Sequence, residues 1–295
     1  MNNMLLVMQG TLDGVLIGGV YATIAVGLSL AFGVMRIVNF AHGELLMVAM
    51  YISMMLTMNM GMDPYFTMLI TIPVMFALGY FMQKMIYNRM LDRPSSNSNS
   101  VRIFTAGLGI FLANIATLIF GADIKATVTK YTSTAFEVGD VIVSIPRLIS
   151  FLIALSFTIL LYFIVQKTEY GRALRATSQN RQVAELMGID YRRIYAIAFG
   201  LGLAMLGASA ALLIPNASVS PHLGDTYGLK CFIIVVLGGM GSIPGALAGG
   251  VILGLIEKVG AVFLSDAYAQ LIEFAIFILM LVFRPAGLFG KETNA

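Results

Sequence analysis

Arg36, Asn39, His42 and Glu44 fall within nine residues, in the run Gly33-Val-Met-Arg36-Ile-Val-Asn39-Phe-Ala-His42-Gly43-Glu44, with long apolar stretches on both sides. One such polar group costs several kcal/mol in hydrocarbon unless it faces protein or water. Gly33 and Gly43 permit a break in the backbone, and broken backbone is tolerated at membrane depth only where it is packed in protein or lines a cavity. Two readings follow: a short loop at the membrane interface, or a broken helix at a translocation pathway. Metal chemistry is disfavoured, because His42 and Glu44 are two residues apart with no third ligand nearby.

A second constellation is Leu237-Gly238-Gly239-Met-Gly241-Ser242-Ile-Pro244-Gly245-Ala-Leu-Ala-Gly249-Gly250. A continuous helix through these glycines and the proline is disfavoured. A tight turn between two helical pieces is one reading; a discontinuous element near a substrate path, with Gly238, Gly239 and Gly241 offering backbone groups, is the other. Gly241, Gly245 and Gly249 are spaced by four, which lets the second piece approach a neighbour closely. Interrupted spans in both halves of a chain point to an inverted repeat, and segments 36–44 and 238–245 are expected to approach each other. Asn39 and His42 would then offer hydrogen bonds to a zwitterionic substrate.

A third segment, 168–193, is too polar to cross lipid. It holds good helix formers from Arg172 to Met187, with Gly188 as a helix stop. It is either an ordinary basic loop or the docking surface for a cytoplasmic partner. Gly290-Lys291 falls short of a phosphate-binding loop, since Pro285 replaces the first glycine and Glu292 the Ser/Thr. No nucleotide site, nucleophile–base pair or other cofactor site is expected, so the chain reads as a transport component and not an enzyme. Asp13, Asn114, Glu257 and Glu273 lie in or near spans, where a neighbouring helix commonly satisfies such groups.

These motifs sit in an apolar framework. Of 295 residues 59% are hydrophobic and 11% charged, and the mean hydropathy is +0.89. A soluble domain carries roughly 25% charged residues, so this surface is built for lipid. The net charge of +3 does not imply nucleic acid. The single Cys231 excludes an internal disulfide, and the first apolar run lacks the basic start and cleavage site of a secretory signal.

Apolar runs predict spans near Leu12–Phe32, Ile37–Met58, Tyr65–Tyr87, Ile103–Gly121, Leu148–Gln166, Ile194–Ile214, Leu229–Met240, Ala246–Leu264 and Ala269–Phe283. The expectation is an all-α polytopic bundle of 8–10 spans forming one permease domain over 1–295. Lys84, Arg89, Arg93 and Arg102 flank a Ser/Asn loop at 94–100. Lys167, Arg172, Arg175, Arg181, Arg192 and Arg193 follow in the next polar segment, and Arg284 and Lys291 in the tail. The positive-inside rule puts these three regions in the cytoplasm. The balanced 122–147 segment, with Lys130 and Asp140, is then external, and nine spans leave the N-terminus outside.

Four runs together resemble the LivH-type permeases of branched-chain amino acid ABC importers: GLSLAFGVMRIVNFAHGE (27–44), TEYGRALRATSQNRQVAELMGID (168–190), VVLGGMGSIPGALAGG (235–250) and FRPAGLFG (283–290). The resemblance implies a multi-pass permease of the bacterial plasma (inner) membrane. It implies a heterodimer with a second, related permease chain, two cytoplasmic ATPase subunits that use the ATP, and an extracytoplasmic substrate-binding protein. It makes 168–193 the ATPase-coupling segment, with Gly171, Arg172, Arg175, Ala184 and Gly188 as its marked residues. The general importer pattern of Glu-Ala-Ala followed four residues later by Gly is matched only at Ala184 and Gly188. The substrate is left as branched-chain or other amino acids, amides or urea. An ion-coupled secondary carrier acting alone is the alternative transport class.

Overall fold

The computed structural model describes residues 3–91, 98–127, 131, 134–139 and 141–290. The expected positions Arg93, 94–97, Lys130, Asp140 and Lys291 lie outside these described residues. Twelve α-helices are described: α1 (Asn3–Met35), α2 (His42–Met60), α3 (Pro64–Met82), α4 (Asn88–Leu91), α5 (Ser98–Phe120), α6 (Ile145–Lys167), α7 (Glu169–Gln179), α8 (Arg181–Leu186), α9 (Tyr191–Leu213), α10 (Leu223–Gly238), α11 (Ile243–Phe263) and α12 (Asp266–Phe283). A π-helical turn, Gln83–Tyr87, joins α3 to α4. Among the described residues, seven helical stretches are long and apolar enough to cross a membrane, and Tyr268–Phe283 is a shorter apolar helix. The chain is an all-α polytopic bundle. The described residues also hold an antiparallel hairpin of β1 (Ala135–Val138) and β2 (Val141–Ser144), in the segment read as external, and an isolated bridge between Lys125 and Val219.

Two expected spans shift. The one predicted from Ile37 begins at His42, because 36–39 carry no regular structure and 40–41 form a turn. The short run predicted from Leu229 is a 16-residue helix starting at Leu223, since Gly224, Asp225 and Thr226 are tolerated in a first turn that hydropathy alone rejects.

The bundle is built twice. The set α1, α2, α3, α5 packs like the set α9, α10, α11, α12: α11 lies on α1 as α3 lies on α9, α10 on α1 as α2 on α9, and α12 on α10 as α5 on α2. Close approaches give the directions. On α1, Gly10, Gly14 and Gly18 meet Lys258, Gly254 and Gly250 of α11, so the two are antiparallel. On α3, Thr71 and Gly79 meet Gly207 and Gly200 of α9, again antiparallel. Successive spans alternate, so α1 and α3 run the same way and α9 runs opposite to α1. The repeat is inverted. Small residues at these seams let backbones touch, which is how helices associate in lipid without a hydrophobic driving force.

The joints repeat too. Helix α2 ends at Gly61 (φ 66°) and α10 at Gly239 (φ 101°). Asp63 then caps α3 by accepting the Tyr65 N–H (2.9 Å) before Pro64, and Ser242 caps α11 by accepting the Gly245 N–H (3.0 Å) beside Pro244. The cap satisfies an orphan N–H, and proline in the first turn loses no helix bond.

Candidate functional site

The break after α1 is a re-entrant fold. Arg36 sits at φ 54°, where the chain reverses. His42 Nε2 then lies 3.1 Å from the Ile24 carbonyl. Ile24 is eleven residues before the end of α1, about 16 Å back along a helix. The irregular residues 36–41 therefore run back beside α1 and start α2 inside the bundle. Asn39 organises that start, its Oδ1 accepting the Ala41 N–H at 3.1 Å. Of the two open readings, the broken-helix geometry is the one observed. His42 and Asn39, expected as groups for a substrate, are both buried. His42 is held by α1, and Asn39 lines a cavity of about 10 Å³ shared with Gln83, Tyr87 and Phe199.

The start of α2 meets the start of α10. Gly43 packs on Gly224 and Gly228, and Gly224 packs in turn on the Glu44 backbone. Each helix carries one acid in its first turn, Glu44 in α2 and Asp225 in α10. His42-Gly43-Glu44 and Leu223-Gly224-Asp225 occupy equivalent places in the two repeats. The two carboxyl groups face each other, and the Asp225 side chain is 74% exposed, with His222 Nδ1 3.9 Å from it. Helix N-termini favour negative charge. Asp225 is exposed, whereas Glu44 Oε2 is buried beside Gly109 of α5 and has no hydrogen-bond partner among the described residues. Such a pair suits a cationic group such as an ammonium. Asp225 escaped the sequence reading; its only signal is the short Gly-acid echo of Gly43-Glu44.

The 237–245 turn differs from expectation. The Gly238 and Leu237 carbonyls are not free: Phe289 N–H donates to Gly238 at 3.0 Å and Leu288 N–H to Leu237 at 2.9 Å. Gly287 (φ 78°) fits against Gly239. The FRPAGLFG run is thus a strap that caps α10. Gly241 touches Gly33, and Ser29 Oγ donates to the Ser242 carbonyl at 3.3 Å. The expected meeting of 36–44 with 238–245 is made instead by Ser29 and Gly33 of α1. Gly245 and Gly249 pack back on Gly238 and Ile234, leaving Gly250 and Gly254 to face α1.

The predicted helix 172–187 is two helices. Asn180 ends α7 and caps α8, its Oδ1 accepting the Gln182 and Val183 N–H groups at 3.0 and 3.1 Å. Gly188 (φ 84°) stops α8 as expected. Gly171 packs against the Ile164 and Val165 carbonyls, and Arg175 donates to Val165, so both anchor α7 to the end of α6. Arg172 makes an exposed pair with Glu169 at 3.3 Å. Ala184 is buried, while Val183, Leu186 and Met187 are exposed, Leu186 at 87%. These apolar residues at i, i+3 and i+4 were missed because the basic residues around them dominate the segment.

Inside the bundle, Glu257 accepts from Lys230 (2.5 Å), Lys258 (2.9 Å) and Tyr21 (3.3 Å), joining α1, α10 and α11. Glu273 of α12 is buried, and its Oε1 has no partner among the described residues. Asp13 pairs with Arg147 at 2.7 Å.

Residues 10–281 match the family described as the branched-chain amino acid transport system / permease component. The chain is 32% identical to the high-affinity branched-chain amino acid transport system permease protein BraD of Pseudomonas aeruginosa, over 96% of each chain. It is likewise 32% identical over 96% of each chain to the high-affinity permease protein LivH of Escherichia coli. A probable LivH of Methanocaldococcus jannaschii is 27% identical over 95% of this chain and 92% of its own. No solved structure matches. With nearly the full length matched by the family and by these relatives, the chain belongs to the permease components of branched-chain amino acid transport systems.

Proposed function

We propose that this chain is the membrane-spanning permease of an ATP-driven importer, passing branched-chain or related amino acids delivered by a binding protein. The observation that carries this reading is 32% identity, over an alignment covering 96% of the chain, with permeases named for that transport. The Glu44–Asp225 pair, at the meeting of two helix starts, supplies groups suited to a substrate ammonium. In this reading the re-entrant break after α1 and the 238–242 turn frame the route. Arg36 marks the reversal at its inner end, Asn39, His42 and Gly43 hold α2 in place, and Gly238, Gly239 and Gly241 form the turn that closes that end. A route needs only weak binding, because a tight site slows release.

The proposed assembly pairs this permease with a second, related permease chain in a bacterial inner membrane. Two cytoplasmic ATPase subunits dock on α7–α8 and use the ATP. Support for that docking surface comes from Val183, Leu186 and Met187, which are exposed beside the anchored Gly171, Arg175 and Ala184.

The test is reconstitution. The purified chain in liposomes, given ion gradients but no ATPase, is expected to take up no leucine. The chain with its partner subunits, binding protein and ATP is expected to accumulate it. Robust uptake by the isolated chain overturns the reading in favour of an ion-coupled carrier.

A further inference from the structure

A second site lies away from the Glu44–Asp225 pair. Between the end of α3 and the start of α9 is a cleft of about 510 Å³, lined by Tyr80, Lys84, Asn88, Arg89, Arg192 and Arg193 with Asp190. Four of these side chains are cationic and they come from three elements: the π-helical turn, α4 and the first turn of α9. The single carboxylate is already engaged, since Asp190 caps α9 by accepting the Arg192 and Arg193 N–H groups at 3.0 and 3.3 Å. Arg192 is partly engaged as well, its Nε donating to the Tyr191 hydroxyl at 3.1 Å. That leaves Lys84, Arg89 and Arg193 as the main charge facing the cleft. Its walls are fixed by Asn88, which is buried and joins the two sides: it accepts from Gln83 at 3.0 Å and donates to the Arg192 carbonyl at 3.2 Å.

We propose that this cleft binds the phosphate headgroup of an anionic phospholipid. The cleft has two chemical ends. Its basic residues lie in the last turns of the Pro64–Leu91 span and the first turn of the Tyr191–Leu213 span, and Tyr80 and the buried Ala196 carry the lining one turn further onto those spans. A soluble anion needs only the first end, whereas a phospholipid uses both, with its phosphate on the cations and its glycerol and chains along the apolar wall. Its size is that of a small-molecule site, and basic clefts between spans on the cytoplasmic side are suited to such headgroups. Three residues, Met187-Gly188-Ile189, separate Asp190 of the site from the end of α8, so a bound headgroup also braces the segment read above as the docking surface. That last point rests on the permease reading; the lipid site does not.

The test uses the assembled transporter in detergent, with native mass spectrometry and added lipid. Phosphatidylglycerol is expected to remain bound where phosphatidylcholine does not. Lys84→Ala, Arg89→Ala and Arg193→Ala combined are expected to weaken retention roughly a hundredfold, at about one surface-charge contribution each. The thermal midpoint without lipid checks that this variant is folded. A charge-retaining variant, Lys84→Arg with Arg89→Lys, is expected to bind as wild type. Inorganic phosphate that competes fully at millimolar concentration identifies a free-anion site and overturns the lipid assignment. Wild-type retention by the triple variant overturns the site. Crosslinking of Arg193→Cys to an ATPase subunit, with no lipid retained, assigns the cleft to a protein contact instead. All three outcomes leave ATP-driven uptake, and so the permease reading, untouched.

Discussion

Gly43 and Gly224 meet backbone to backbone where α2 and α10 begin, so closely that a methyl group on Gly43 would strike the Gly224 carbonyl. This contact joins the two repeats at their centre, and it brings the acids that follow each glycine to face one another.

Gly43→Ala is therefore expected to destabilise the assembled transporter by about 1–3 kcal/mol, the usual cost of overpacking, and to lower uptake with it. Gly107 has open space around its Cβ position, so Gly107→Ala is the control and is expected to be silent. Thermal midpoints of the two variants decide; equal midpoints would remove the Gly43–Gly224 contact as a structural constraint.

Glu44→Gln and Asp225→Asn keep shape and remove charge. If the pair receives the substrate ammonium, each lowers ATP-driven uptake by about tenfold, or 1.4 kcal/mol. Binding-protein affinity and subunit assembly stay as in wild type. Initial uptake rates in proteoliposomes measure this, and wild-type rates in the double variant exclude the role.

Leu186→Asp with Met187→Asp puts charge on the exposed face of α8 without touching its buried side. ATPase subunits are expected to be lost on co-purification. Arg172→Ala is expected to change recovery little, because the exposed Arg172–Glu169 pair is worth at most about 1 kcal/mol. Full ATPase recovery with the Asp pair would move the docking surface elsewhere.

Gly287→Val tests the C-terminal strap. A branched residue at φ 78° costs about 1–2 kcal/mol from the left-handed backbone alone, and its side chain would also strike Gly239. The expected result is a lower thermal midpoint and faster proteolysis near the 238–242 turn. An unchanged midpoint would mean that the strap does not cap α10.

Much of this was legible in the sequence. Apolar runs gave the spans, since hydropathy is nearly the whole of the insertion energy. The Gly and Pro cluster at 238–245 located the second interruption, where Gly239 and Gly241 take positive φ. The first reverses at Arg36, whereas Gly33 and Gly43, expected to permit the break, lie inside α1 and α2 and serve close packing. What escaped depends on distant pairing. Gly238 looked like an exposed backbone because its partner, Phe289, lies about fifty residues on. Asp225 was hidden because a two-residue echo of Gly43-Glu44 is too short to recognise without the packing that aligns it. The bond of His42 to Ile24 was illegible because it requires the chain to double back, which φ at Arg36 decides. The continuous helix expected from Arg172 broke at Asn180, whose side chain caps better than it propagates.

The seam between α1 and α11 also has a consequence in time. Gly14 and its partner Gly254 lie at opposite ends of the reading frame. At roughly 5–20 residues per second of synthesis, the first helix enters the bilayer tens of seconds before the helix that will cover it. During that wait its contact stripe faces lipid. Glycine makes the wait harmless: a stripe without side chains exposes no polar side-chain group to hydrocarbon, and its backbone is already bonded within the helix. The residues that permit the closest contact in the finished protein are also those that leave a nascent first helix content to stand alone.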